Sequence, residues 1–130
     1  MSFMTASQDH PILIVDDDEP TQKLLSALLT RFGHHTEVAS NGREAIELIR
    51  SRPYSIVILD LMMPTSSGQD VVDYLSSQQT KVPVLVCTAS GVARSMVFDS
   101  KVVKAVIRKP FDIDQFINVV NGLLTTRAMD

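Results

Sequence analysis

The sequence predicts an α/β fold, a doubly wound parallel sheet with helices on both faces. Three observations carry this. Short apolar runs alternate with segments whose apolar residues recur at helical spacing, in the pattern strand then helix, five times over. Two of the runs, Pro11–Val15 and Ile56–Leu59, are wholly apolar and rich in β-branched residues, as expected of strands covered on both faces. Both end in carboxylates, Asp16, Asp17 and Asp18 after the first and Asp60 after the second.

The elements follow in order. Pro20 suits the first turn of a helix, and Leu24, Leu25, Leu28, Leu29 and Phe32 form its apolar face. Gly33 ends that helix. Thr36–Ala39 is a short strand, and Ser40 or Asn41 is placed to cap the helix that buries Ala45, Ile46 and Ile49. Pro53 closes it before the Asp60 strand. Pro64, Ser66, Ser67 and Gly68 break the chain, and Val71, Val72 and Leu75 mark a third helix. Val82–Cys87 is the fourth strand, ending at Thr88. Residues 91–99 form a weaker helical pattern. Ala105–Ile107 is the fifth strand, ending at Lys109-Pro110. Asp112 and Gln115 resemble a capping box for the last helix, with Ile113, Phe116, Ile117, Val120 and Leu124 inward. Residues 1–10 and 127–130 are expected as tails, with the domain spanning 11–126.

The strand order 2-1-3-4-5, flavodoxin-like, suits five β-α units of this length. Strands 1 and 3 then lie side by side, and their carboxylates converge on the edge where open α/β sheets bind ligands. Thr88 and Lys109 end strands 4 and 5 on that same edge.

Composition narrows the function. The 130 residues are 45% hydrophobic, enough for one packed domain. A net charge of -3 argues against direct nucleic-acid binding. No apolar run approaches the roughly 20 residues of a membrane helix, and the N-terminus has no signal-peptide pattern. The single cysteine, Cys87, precludes an internal disulfide and fits a cytoplasmic location; it is expected as a small core residue. His10, His34 and His35 fall in tail and turn positions. Asp18 and Glu19 are helix-start charges.

Clustered carboxylates repel one another unless a cation intervenes. A hard divalent ion with oxygen ligands, Mg²⁺ above all, relieves that conflict. Asp60 is then a nucleophile able to form an aspartyl phosphate, with the Lys109 ammonium and the Thr88 hydroxyl facing the phosphoryl oxygens. These residues make one coherent phosphoryl-transfer constellation.

The pieces Ile14 to Pro20, Ser40 to Ala45, Leu59 to Pro64 with Gly68, Thr88-Ala89 and Lys109-Pro110-Phe111 together resemble the receiver domain of bacterial two-component response regulators, in a stand-alone, chemotaxis-regulator-like form. The resemblance covers residues 11 to 125. It implies phosphorylation of Asp60 by a sensor histidine kinase or a phosphotransfer protein. It implies Mg²⁺ held by Asp17, Asp60 and the Met62 backbone carbonyl, with Asp16 helping through water. It also implies that Thr88 and Lys109 contact the phosphoryl group, that the Lys109-Pro110 bond is cis, and that the chain is not an enzyme beyond its own phosphorylation and dephosphorylation. A homodimer through the 91–99 segment, the fifth strand and the last helix is a further expectation of the kind.

The chain departs from the family pattern at Val106 and in the segment before strand 5. Val106 stands where an aromatic residue is usual, so no ring is present to couple phosphorylation to shape. Met62 and Ser90 occupy positions that tune phosphate lifetime in the family, and the segment before strand 5 lacks the usual Gly-Ala. Two other functions share parts of this pattern. A phosphatase of the haloacid-dehalogenase type needs an Asp two residues after the nucleophile, where this chain has Met62. A phosphorylation-independent interaction module of the same fold is the alternative that Val106 favours.

Overall fold

The computed structural model describes residues 10–61, 68–78, 81–89 and 99–129. The described elements are β1 (Ile12–Val15), α1 (Glu19–Arg31), β2 (Thr36–Ala39), α2 (Gly42–Ser51), β3 (Ile56–Leu59), α3 (Gly68–Gln78), β4 (Val84–Ala89), β5 (Val103–Lys109) and α4 (Ile113–Met129). Residues 91–98 of the weaker helical pattern lie outside the described residues, as do Met62 and Ser90.

The five strands form one sheet in the order β2-β1-β3-β4-β5, parallel at every pairing. Side chains of a strand point alternately to its two faces. Leu13, Val15, Val57, Leu59, Val84 and Val86 therefore join one core, with Ala45 from α2 and Val71, Val72 and Leu75 from α3. Ile12, Ile14, Ile56, Ile58, Leu85, Cys87 and Ile107 join the other, with Leu25 and Leu29 from α1 and Phe116, Ile117 and Val120 from α4. The sheet is thus covered on both faces, which is why β1 and β3 have no polar position along them.

Local chemistry sets the helix ends. Asp18 caps α1, its carboxylate accepting the Thr21 N–H at 3.1 Å and the Thr21 hydroxyl at 2.5 Å. Gly33, at φ 91°, takes the left-handed turn after that helix. Asn41 caps α2, accepting the Glu44 N–H at 2.8 Å, and Glu44 returns the favour to the Ser40 N–H at 2.7 Å. Asp112 receives the N–H groups of Asp114 and Gln115 at the start of α4.

Several expectations need correction. β4 starts at Val84 and runs on to Ala89, and β5 is seven residues long rather than three. The two strands pair along most of their length, as far as Ala89 with Lys109, so their ladder is longer than the apolar core alone suggests. Within α1 only Leu25 and Leu29 are fully buried, while Leu24 and Phe32 are half exposed. Adjacent residues on a helix are 100° apart, so one of each pair must turn from the sheet. Ile113 is also half exposed, not inward. Phe111, in the preceding loop, stacks on Phe116 with ring centroids 5.2 Å apart and supplies that apolar cover instead. The last helix runs from Ile113 to Met129.

One polar clip was not foreseen. The buried Tyr54 donates its hydroxyl to Glu37 at 2.7 Å, and Arg52 reaches the same carboxylate at 3.0 and 3.2 Å. It fastens the edge strand β2 to the chain that enters β3. The available signal was a tyrosine at the start of a buried strand, whose hydroxyl must find a partner.

Candidate functional site

Register brings the acidic residues together. Val15 pairs with Leu59 across β1 and β3, and with Ala39 across β1 and β2. Asp16, Asp60 and Ser40 each come one residue later, so they leave the sheet at the same level. The backbone ladder continues into them: the Asp16 N–H reaches the Ala39 carbonyl at 3.1 Å, and the Asp60 N–H reaches that of Val15 at 3.0 Å. Thr88 lies near the end of β4, and Lys109, ending β5, pairs with Ala89.

Carboxylate oxygens of Asp16, Asp17 and Asp60 lie within 4.8 Å of one another. Asp16 is 3% exposed and Asp60 9%, whereas Asp17 opens to solvent. The fully buried Thr88 hydroxyl donates to Asp60 Oδ1 at 3.3 Å. The Lys109 ammonium is 3.1 Å from Asp16 Oδ2 and 3.6 Å from Asp60 Oδ2. Asp16 Oδ1 accepts the Asp18 N–H at 2.9 Å. The Lys109-Pro110 peptide bond is cis.

Burial works against the charge of Lys109, but the Asp60 and Asp16 carboxylates outweigh it and raise the ammonium's pKa. Lys109 is therefore a fixed positive charge at neutral pH. Cys87, one residue before Thr88, is driven the other way: burial above all pushes its thiol up to about 12. It is an inert core residue.

The residues present fit a hard divalent cation. Three carboxylates face one ammonium, which leaves negative charge uncompensated. Asp17 makes no hydrogen bond or ion pair among the described residues, so its oxygens are available as ligands. All donors in the cluster are oxygens, the set preferred by Mg²⁺.

The close approach of α3 to this edge depends on Gly68. A Cβ at that position would stand 2.5 Å from the Asp60 carbonyl oxygen and 2.8 Å from Leu61 Cα. Sequence reasoning gave Gly68 as a break before the third helix and as part of the family pattern; its contact with the Asp60 backbone is visible in the fold alone.

Residues 12–121 match the response regulator receiver domain family. This chain belongs to that family. The receiver is 34% identical over 115 residues to the response regulator RR06 of Streptococcus pneumoniae serotype 2, covering 87% of this chain and 52% of that protein. It is 35% identical over 117 residues to the transcriptional regulatory protein SrrA of Staphylococcus aureus, covering 88% and 48%. The receiver thus spans about half the length of these curated relatives. Among solved structures it resembles the response regulator TrrA of Thermotoga maritima, in complex with Mg²⁺-BeF (TM-score 0.80, 31% identity, 88% of this chain and 98% of that one). The receiver domain of Francisella response regulator 1452 superposes with TM-score 0.82 at 28% identity, covering 91% and 98%. No described helix is long and apolar enough to cross a membrane.

Proposed function

We propose that this receiver accepts a phosphoryl group on Asp60 and signals through altered contacts with other proteins. The observation that carries the proposal is the convergence of Asp16, Asp17 and Asp60 within 4.8 Å, with Thr88 and Lys109 both on Asp60.

An Asp60 oxygen forms the new bond to phosphorus as the bond from phosphorus to the donor breaks, and the donor leaves with that electron pair. Lys109 is charged throughout and draws the negative phosphoryl oxygens in. The Thr88 hydroxyl, already aimed at Asp60, exchanges that acceptor for a phosphoryl oxygen. Asp17 and Asp60, with Asp16 behind them and the Met62 carbonyl as a further expected ligand, would hold Mg²⁺. When bound, that ion offsets charge on the carboxylates and on the incoming phosphoryl group. The chain's catalysis is limited to this transfer and to hydrolysis of the acyl phosphate, in which water attacks phosphorus, Asp60 leaves as the carboxylate and inorganic phosphate is released.

The donor is a phosphohistidine on a sensor histidine kinase or a phosphotransfer protein, which places the chain in the cytoplasm. The family membership supports this choice, and Mg²⁺-BeF in a relative of 31% identity supports the metal. A homodimer through the fifth strand and the last helix is the proposed route of output where no other target is engaged.

Intact mass after incubation with acetyl phosphate and Mg²⁺ tests the acceptor. Wild type gains one phosphoryl group and Asp60→Asn gains none; labelling of the variant refutes Asp60. A second reading, an interaction module that works without phosphorylation, is favoured by Val106, a residue without a ring that lies 38% exposed on β5. A wild type that takes up neither Mg²⁺ nor phosphoryl, even from a kinase, would establish that reading instead.

A further inference from the structure

We infer that Gln22 is a positioning residue that sets the cation affinity of the acidic cluster by fixing the Asp16–Asp17 peptide. The inference rests on the reading of that cluster as an Mg²⁺ site.

Every polar group of Asp16 is held. Its N–H goes to the Ala39 carbonyl. Its two carboxylate oxygens receive the Asp18 N–H and the Lys109 ammonium. Its carbonyl oxygen accepts the Gln22 side-chain amide, Nε2 to O 2.5 Å. That carbonyl belongs to a residue 3% exposed, so water cannot readily replace the amide.

The carbonyl is also half of the peptide unit that joins Asp16 to Asp17. Peptide units are planar, so holding the oxygen fixes the plane from which Asp17 departs. Asp17 needs such help more than its neighbours do. Asp16 and Asp60 have partners on their carboxylates, whereas Asp17 is exposed and has none among the described residues. Its aim is set by its backbone.

Gln22 is itself well anchored for the task. Its backbone N–H reaches the Asp18 carbonyl at 3.0 Å, within the first turn of α1. The same Nε2 is 3.2 Å from Ser40 Oγ, and the Ser40 N–H is held by Glu44 of α2. A side chain of α1 thereby joins the ends of β1 and β2 directly behind the cluster. Groups that orient metal ligands from behind commonly change metal affinity on the order of 10- to 100-fold when removed.

Mn²⁺ binding to the full chain, read from the electron paramagnetic resonance signal of the free ion, tests this without any phosphorylation. Gln22→Met keeps the length and removes the donor; its Kd is expected to rise on the order of tenfold. Gln22→Asn draws the amide back by one carbon and serves if the Met variant does not fold; it too must bind more weakly. A residue that only satisfied a buried carbonyl would lower the urea midpoint and leave the Mn²⁺ Kd unchanged. Wild-type affinity in folded Gln22→Met or Gln22→Asn therefore overturns the inference. If wild type binds no Mn²⁺, the cluster reading falls, and this one with it.

Discussion

Lys109 stands closer to Asp16, at 3.1 Å, than to Asp60, at 3.6 Å. The lysine is thus shared between the two buried acids and leans toward the one that is not the proposed acceptor. Its ammonium offsets the charge of both acids at the folded edge.

Replacing that ammonium should expose the repulsion it offsets. Lys109→Met is expected to lose about 1.5–3 kcal/mol in urea unfolding without divalent ions, the range for a hydrogen bond to a charged group. Saturating Mg²⁺ should restore most of that loss, because the ion neutralises the same carboxylates. The sign with pH follows from the raised pKa: the pairing is fully present below the unfolded lysine value of 10.5 and is lost only as pH rises through the higher folded value. On the alkaline side wild type should therefore keep this contribution until strong alkali. A variant equally stable with and without Mg²⁺ would contradict the assignment.

Gly68→Ala should disturb the site from the backbone side. Its Cβ would press on the Asp60 carbonyl and on Leu61 Cα, neither of which can rotate away. The expected cost is about 1–3 kcal/mol, typical of overpacking, accompanied by slower labelling of Asp60 by acetyl phosphate. Urea unfolding and the labelling time course measure the two effects on one sample. An alanine variant of wild-type stability would mean that α3 shifts freely.

Asp18 supplies a pH signature of its own. The Thr21 hydroxyl and then the Thr21 N–H hold its carboxyl below the ordinary value of 3.8. Stability from that charge is present above the ordinary value and is lost as pH falls through the lower folded one. Asp18→Asn keeps a capping oxygen but has no proton to take up. Its denaturation midpoint should fall less steeply than that of wild type below about pH 4. Parallel acid limbs for the two proteins would remove Asp18 as a contributor.

Much of this was legible from residue order. Ile12 to Val15 and Ile56 to Leu59 announce buried strands because every position is apolar, and register alone then forces Asp16 and Asp60 together. What stayed hidden depends on direction in space. The leucine pairs of α1 give two adjacent candidate faces, and only the sheet decides that Leu25 and Leu29 turn inward. The length of β5 is set by pairing with β4, not by its own apolar core of three residues. Gln22 and Glu37 carry no sequence signal, since a polar residue at either position reads as solvated until the carbonyl or tyrosine it serves is in view.

The single cysteine has a use unrelated to signalling. Cys87 is 2% exposed, lies in a central strand and is inert as a thiol while it stays there. A thiol reagent can reach it only when the core that α1 and α4 close over it opens. The chain consequently carries its own stopwatch: the rate of alkylation at one atom times the opening of the core between the sheet and the α1 and α4 layer, without any label having to be introduced.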